Sequence, residues 1–365
     1  MVQRKYAIAI VVLLLATACS GGGTDPSREL TLRRPMAATS VMPSSTTTTV
    51  PVSLQTAIAE SANSESDFPL IVAGIDGVFE VRVLGGRRLL IGTTVEFAID
   101  DARGGLLFQT HRGRPNPDLD VGHDSTIWWL PAGESNPQLV LQSTAETGGE
   151  LSLHDAYESD GLHVIYSRHE DSVPSADGAT GHINWLRSFD VARGETVDLA
   201  TEEGSDIGID NVSCDEGVIA FTRHDAEVTE CRFIDFSGRD VTIPAAVGRA
   251  CGDCRRFCML RWGGSQLMRL QYRHQPTDTD AQSDLLELVE TATASVLDSL
   301  VLPLAAERVV AVDLLGPWFV ISTGLDEKAL VFDLRVLWAG PFELPVPGVA
   351  RFARAPLDIG KPIEF

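Results

Sequence analysis

Six short apolar runs recur along the chain, each bounded by turn-forming or charged residues. Four are near-copies that end in histidine, and two are looser copies. They are LLFQTH (106–111), VIYSRH (164–169), IAFTRH (219–224), RLQYRH (269–274), LIVAGI (70–75) and FVISTG (319–324). Runs this short that are rich in β-branched and aromatic residues favour strands. Their recurrence predicts one strand type used six times in a repeat architecture.

The run at 164–169 lies in a unit of four predicted strands. ELSLHDAY (150–157) leads to it through the tight turn Ser159-Asp160-Gly161, and INWLRSFDV (183–191) and ETVDLA (195–200) follow. Asp-Gly and Gly-Gly pairs between extended runs favour hairpins, because the primed turns need positive φ. The six runs begin about 36 to 58 residues apart, which suits a four-stranded blade with a loop of variable length. The sequence therefore predicts an all-β fold, a six-bladed β-propeller of four-stranded blades.

The two ends of the repeat region each lack a part that the other supplies. The last unit ends with VARFARAPLDIG (349–360), where its next strand is due, and the run at 70–75 has no strand before it. We therefore expect the N-terminal strands to complete the last blade and close the ring, which removes exposed sheet edges. The closing strand is then Leu70 to Gly74, and Lys361 to Phe365 is the open alternative.

The repeat resembles the TolB-type and WD40-like repeats of bacterial propellers. The resemblance rests on the Ser-Asp-Gly turn, the strand like IAFT, and a strand that ends at Asp before Gly, and it covers about residues 68–360. The turn is partial at Asp215-Glu216-Gly217 and degenerate at Leu314-Leu315-Gly316, and the usual Pro before it is missing. The resemblance implies the fold and leaves the function open, because propellers host many activities.

Residues 1–19 have the pattern of a signal peptide. Arg4 and Lys5 precede a short apolar core, which is too short to span a membrane. Leu15-Ala16-Thr17-Ala18-Cys19 resembles the bacterial lipobox, although that family carries Leu, Val or Ile where this chain has Ala16. The resemblance implies a bacterial lipoprotein that is lipidated at Cys19 and anchored, extracytoplasmic, on the outer face of the cell membrane. Ordinary secretion is the alternative.

Residues 20–67 and 68–365 differ sharply in composition. The first segment is rich in Ser, Thr and Pro and cannot bury enough apolar surface to offset the entropy of ordering. It is predicted to be a disordered tether, and residues 68–365 are predicted to form the propeller. With 29 Lys and Arg against 51 Asp and Glu, the formal net charge is −22, which excludes a nucleic-acid partner because such partners require clustered basic residues.

The ends of the repeated strands carry the residues that could form a functional face. These candidate upper-face positions are His111, Arg168, His169, Arg223, His224, Arg273 and His274. A ring of imidazoles could bind a metal or respond to pH, but equivalent positions diverge around the axis, while one ion needs its ligands about 2.0–2.1 Å away. We expect these residues to pair with acidic groups across blade boundaries.

Two acidic loops follow the repeated strands. Asp118, Asp120 and Asp124 alternate as calcium ligands do, and a similar loop carries Asp278 and Asp280. The EF-hand pattern needs Gly at its sixth position, whereas Gly122 is at the fifth and the second loop has none. The loops are interpreted as solvated acidic segments, and no metal or cofactor is expected.

Five cysteines besides Cys19 lie within 45 residues of one another: Cys214, Cys231, Cys251, Cys254 and Cys258. The last three resemble half of a zinc or cluster site, but no second ligand pair follows at the required spacing. Exported proteins favour disulfides, so these cysteines are predicted to form at most two disulfides and leave one thiol.

No sequence motif of a catalytic nucleophile, phosphate loop or zinc protease occurs in the chain. The sequence therefore predicts a membrane-anchored module that binds a protein or a component of the cell envelope, without evident catalysis. The alternative is a hydrolase or lyase that acts on cell-wall or extracellular carbohydrate at the propeller axis.

Overall fold

The chain folds into β-strands joined by turns. The computed structural model describes residues 69–83, 85–111, 125–143, 149–171, 182–204, 208–215, 217–224, 228–241, 247–249, 255–263, 266–274, 285–290, 296–302, 309–315, 318–333 and 341–363. The predicted signal peptide and tether lie outside these residues. Within them there is no helix long and apolar enough to cross a membrane.

Within these residues, twenty-four strands form six antiparallel sheets of four strands each. Blade A consists of β1 (Pro69–Gly74), β2 (Gly77–Arg82), β3 (Arg87–Ile91) and β24 (Val349–Phe352). Blade B consists of β4 (Phe97–Asp100), β5 (Leu106–His111), β6 (Ser125–Leu130) and β7 (Gln138–Gln142). Blade C consists of β8 (Glu150–Glu158), β9 (Leu162–Asp171), β10 (His182–Asp190) and β11 (Glu195–Gly204).

The remaining strands follow the same order. Blade D consists of β12 (Gly208–Asp215), β13 (Val218–His224), β14 (Val228–Asp235) and β15 (Val247–Arg249). Sheet E consists of β16 (Arg255–Gly263), β17 (Gln266–His274), β18 (Leu285–Glu290) and β19 (Val296–Val301). Blade F consists of β20 (Ala311–Leu315), β21 (Trp318–Ser322), β22 (Lys328–Asp333) and β23 (Phe342–Pro347).

The six repeated runs of the sequence are the second strands of the six sheets: β1, β5, β9, β13, β17 and β21. In β5 the first four residues are buried and the last two are half-buried. A second strand has sheet neighbours on both sides and adjoining blades against both faces, so its apolar run is continuous rather than alternating. Its end, at the rim of the sheet, becomes polar.

Five of the six sheets have described apolar interiors. Four clusters of buried side chains join neighbouring blades (A with B, F with A, B with C, and C with D), and a fifth lies in blade D. Sheet E is described by its backbone pairing and by a few exposed side chains of β19. The prediction of an all-β propeller of four-stranded blades is therefore confirmed, but five blades with packed interiors are shown where the sequence predicts six.

Blade A is completed from both ends of the folded region. β1 pairs antiparallel with β24 between Leu70–Phe352 and Ala73–Val349. The prediction that the N-terminal strands complete the last blade is thus confirmed, and Leu70 to Gly74 is the closing strand. The alternative segment contributes one parallel bridge, between Ile363 and Ile91 at the outer edge of the blade.

Residues 353–363, which we call the C-terminal strap, cross from blade A to blade B and back. Asp358 donates its N–H to the Gly104 carbonyl (2.8 Å) and accepts from the Gly133 N–H (2.7 Å), both in turns of blade B. Ile363 then donates to the Leu90 carbonyl (2.9 Å) and accepts from Gly92 (2.8 Å) beside β3. Between these contacts Ile359 is 2% exposed in the cluster that joins blades A and B.

The turn at Ser159-Asp160-Gly161 differs from its sequence-based expectation. Gly194 and Gly217, in other hairpin turns, have positive φ (69° and 87°), whereas Gly161 does not. Ser159 donates its N–H to the Gly161 carbonyl (3.2 Å), and this hydrogen bond closes the turn although none of its three residues has a positive φ. The predicted primed turn is therefore wrong here.

Candidate functional site

The candidate positions lie where second strands end, on the face we call the upper face. His111 ends β5, and Arg223 and His224 end β13. Arg168 and His169 lie in β9, which continues to Asp171. Arg273 and His274 end β17, a strand of sheet E of which only the backbone is described. Each of these positions therefore lies at or near the end of the second strand of its sheet.

His111 pairs within its own blade. Its Nδ1 contacts the carboxylate of Glu96, the residue before β4, and its side chain is 19% exposed. The hydrogen bond to Glu96 raises the pKa of His111 despite burial, which opposes the charged form, and the charge of Glu150 in blade C adds to the rise. Only that longer-range charge comes from the neighbouring blade.

The blade C candidates also have partners in blade C. The Nδ1 of His169 lies 2.8 Å from Asn184 Oδ1, directly across the β9–β10 pair. The rings of His169 and His182 lie 4.9 Å apart and are tilted by 34°. Arg168 forms an ion pair with Glu170 on the same strand. These contacts order the rim of blade C.

Among the described side chains, Arg223 forms a pairing of the predicted kind, across a blade boundary. Arg223 of blade D donates through Nε to Glu202 of blade C at 2.9 Å, and Arg232 contacts the same carboxylate at 3.2 Å. Glu202 lies near the end of β11, the outer strand of blade C. Arg223 thus pairs across a blade boundary, whereas the contacts described for His111, Arg168 and His169 lie within their own blades.

The His224 ring packs closely over Gly208. A Cβ placed on Gly208 would lie 2.2 Å from the Cε1 of His224. Gly208 begins β12 and pairs with His224 in the sheet, so only a residue without a side chain leaves room for the imidazole.

The acidic loop residues Asp118, Asp120 and Asp124 lie outside the described residues, as do Asp278 and Asp280. Cys251 and Cys254 also lie outside them, and the side chain of Cys258 in β16 is not described. Cys214 is half-buried in β12, and Cys231 is fully buried in β14. The disulfides stay a prediction, and contacts between β14 and β16 bring the strands of Cys231 and Cys258 together.

A charged network that the sequence did not reveal joins the inner strands of blades A, B and C. Arg354, just beyond β24, lies 3.3 Å from Asp100 in β4 and 3.1 Å from Asp155 in β8. It also donates to the carbonyls of Ala156 (2.7 Å) and Asp100 (3.0 Å). Burial opposes its charge, but Asp155 and Asp100 outweigh that effect and raise the pKa of Arg354.

The inner-strand carboxylates also accept hydrogen bonds from backbone amides. Asp155 accepts from the N–H of Cys214 (2.8 Å) on the next blade, and Asp313 accepts from Phe352 (2.8 Å). Burial raises the pKa of Asp313, and that of Asp100, although Arg351 and Arg354, respectively, oppose the rise. Each of these three carboxylates therefore links one blade to another.

His154 enters this region through a β-bulge. The β8–β9 register shifts between Leu153 and Asp155, so that His154 is the extra residue. Its Nε2 lies 2.9 Å from Ser167 Oγ. Burial, and then the charge of Arg351, lower the pKa of His154 to about 3, which keeps the imidazole neutral near neutral pH.

Asp160, His163 and Asp190 form a second polar cluster, at the end of blade C opposite the upper face, where Asp160 lies in a turn and the other two lie at strand ends. Their potential ligand atoms lie within 4.8 Å of one another. Arg193 bridges the two carboxylates at 2.6 Å (Asp160) and 2.7 Å (Asp190). The hydrogen bond from Arg193, followed by that from His163, lowers the pKa of Asp160. The cluster is an ion-pair network that ties two turns together.

The strand pairing and the polar inner strands define an all-β propeller of four-stranded blades. Solved structures with similar folds include a chain of a nidogen/laminin complex, with a TM-score of 0.50, 8% identity, and coverage of 78% of this chain and 97% of that chain. A periplasmic gluconolactonase of Pseudomonas aeruginosa has a TM-score of 0.43 and 11% identity, with coverage of 78% of this chain and 99% of that chain. The Dos1 propeller has a TM-score of 0.38 and 12% identity, with coverage of 77% of this chain and 69% of that chain. At these identities the similarity concerns the fold alone. No protein-family model and no curated protein matches the sequence.

Proposed function

We propose that this chain is a lipid-anchored, extracytoplasmic propeller that binds a protein or another component of the bacterial cell envelope. The lipobox-like segment ending at Cys19 and the Ser/Thr/Pro-rich segment 20–67 support the anchor and the tether. The TolB-type resemblance of the repeats supports the bacterial assignment. The propeller supplies a rigid scaffold whose loops can present a binding surface.

The observation that carries binding over catalysis is the use of the inner-strand charges. A hydrolase or lyase at the axis would need carboxylates and a histidine available to the substrate. Asp100 and Asp155 are instead held by Arg354, Asp313 is held by backbone N–H groups, and His154 contacts Ser167. These groups stabilise the ring, and the enzymatic alternative therefore has less support.

The similarity to a chain of a nidogen/laminin complex is consistent with protein binding, because that structure is named as a complex between proteins. The similarity concerns the fold, and a fold can host many functions, so the partner of this chain has to be argued from its own surface.

The proposal is tested by crosslinking in intact cells, with wild type compared with Cys19→Ala. We expect wild type in the membrane fraction with a defined crosslinked partner, and Cys19→Ala released from that fraction. Equal membrane retention of both would contradict the lipid anchor. A propeller that crosslinks to nothing beyond the level of an anchored control lacking residues 68–365 would contradict the binding function.

A further inference from the structure

A groove on blade A collects positive charge in a chain whose formal net charge is −22. Its volume is about 430 Å³, within the range of ligand sites. It is lined by Glu80, Arg82, Gly86, Arg87, Arg88, Pro356 and Leu357. Three guanidinium groups therefore surround a single carboxylate, which reverses the charge balance of the whole chain.

The three arginines are not equivalent. Arg88 is committed to the fold, because it donates through Nε to Glu80 (2.9 Å) and through Nη1 to the Ile359 carbonyl of the C-terminal strap (2.6 Å). The charge of Arg88 thereby balances the charge of the Glu80 carboxylate, which is 7% exposed. Arg82 is half-exposed and also pairs with the Glu80 carboxylate, at 3.5 Å. Arg87 is exposed and forms no ion pair with any residue that the structure describes.

The opposite wall of the groove is apolar and fixed. Pro356 and Leu357 belong to the C-terminal strap, and Leu357 packs against the cluster that joins blades A and B. Arg88 also holds the Leu357 carbonyl at 3.4 Å. The strap therefore keeps an apolar wall in place opposite exposed guanidinium groups.

We propose that this groove binds an acidic peptide segment of a partner protein, with carboxylates at Arg82 and Arg87 and an apolar side chain against Pro356 and Leu357. Arg donates forked hydrogen bonds that match a carboxylate, and exposed Arg attracts such groups from solution. A peptide combines both chemistries at the spacing of neighbouring side chains. The inference rests on the proposed protein-binding function and names the chemistry of the partner.

The test is fluorescence anisotropy with the full chain and a short peptide of alternating glutamate and leucine. We expect saturable binding that weakens with salt, because screening acts on exposed charges. Arg87→Glu should weaken binding by about tenfold, since it replaces a charge-assisted contact with a repulsive one. Arg239→Glu is the matched control: Arg239 is exposed in a turn of blade D, and its replacement makes the same change in net charge. It should shift the affinity by less than about twofold.

Four outcomes would overturn the proposal, the first three of which concern the peptide. These three are no saturable binding of the peptide, equal binding of a peptide in which glutamine replaces glutamate, and equal effects of the two arginine variants. Binding to phosphatidylglycerol vesicles without peptide binding would also overturn it. Because these measurements use a defined peptide, their failure is distinct from a failure to find a crosslinked partner in cells.

Discussion

At the residue scale, His154 shows how one inserted residue changes the chemistry of a strand. Regular alternation would place Leu153 and Asp155 on the same face of β8. The bulge shifts the register after Leu153, so that Ala156 joins the buried cluster of Leu151 and Leu153. His154 is left beside Ser167 with its pKa lowered to about 3. The sequence could not show this, because the bulge depends on how β8 pairs with β9.

We expect His154→Gln to be less sensitive to acid than wild type. The folded pKa of about 3 lies below the ordinary value of 6.5, so the penalty for keeping His154 neutral is absent above pH 6.5 and grows as the pH falls. Between pH 7.5 and pH 5, wild type should lose about 1–2 kcal/mol more than the variant. Urea unfolding at the two pH values measures the difference.

His111 provides a control of opposite sign. Its pKa is raised by Glu96, so its stabilising contribution is present below the ordinary pKa and is lost as the pH rises through the folded value. His111→Gln should therefore be less stable than wild type mainly at acidic pH, where the wild-type imidazole is charged and paired with Glu96. If His154→Gln loses as much stability on acidification as wild type does, the claim that folding keeps the His154 imidazole neutral is wrong.

At the element scale, the second strands were predictable and the C-terminal strap was not. Second strands are covered on both faces, so burial imposes a continuous apolar run that recurs six times. The strap contributes single backbone hydrogen bonds to turns of blade B and to β3, and such contacts impose no periodicity. The sequence offered Lys361 to Phe365 as an alternative closing strand, and Ile363 forms one isolated bridge.

Ile359 should anchor the C-terminal strap. We expect Ile359→Ala to lower the free energy of unfolding by about 3 kcal/mol, because it removes a buried side chain between blades A and B. Lys361→Ala, in the same segment but exposed, should change it by less than about 0.5 kcal/mol. Urea titration compares the two. Equal effects would mean that the strap contributes through its backbone contacts alone.

At the scale of the whole molecule, ring closure depends on contacts between residues far apart in sequence. Arg354 and Asp100 are 254 positions apart, and a single sequence offers no sign that they meet. The upper-face candidates were predictable as positions because they repeat. Most of their partners were not, since Glu96, Asn184 and Glu202 lie at different places in their blades.

Arg354→Met should destabilise the ring. It removes the guanidinium from Asp100, whose side chain is 2% exposed, and leaves a buried carboxylate without its counter-charge. Removing the partner of a fully buried charge costs about 3–5 kcal/mol, but the Arg354 side chain is 34% exposed, so water screens the pair and we expect a smaller loss, about 1–3 kcal/mol. Arg239→Met, at an exposed turn of blade D, should cause no resolvable change. Chemical denaturation measures both, and a small effect at Arg354 would show that the network is dispensable for folding.

The pairing of β1 inside blade A also determines how the ring responds to tension. β1 lies between β24 and β2, and its hydrogen bonds run across the strand direction. A pull on the chain before Pro69 would act along β1 and load its backbone bonds on both sides together, in shear rather than by successive unzipping. The strand that closes the ring would therefore bear a force applied through the N-terminal segment, and shear is the loading direction in which such a strand is strongest.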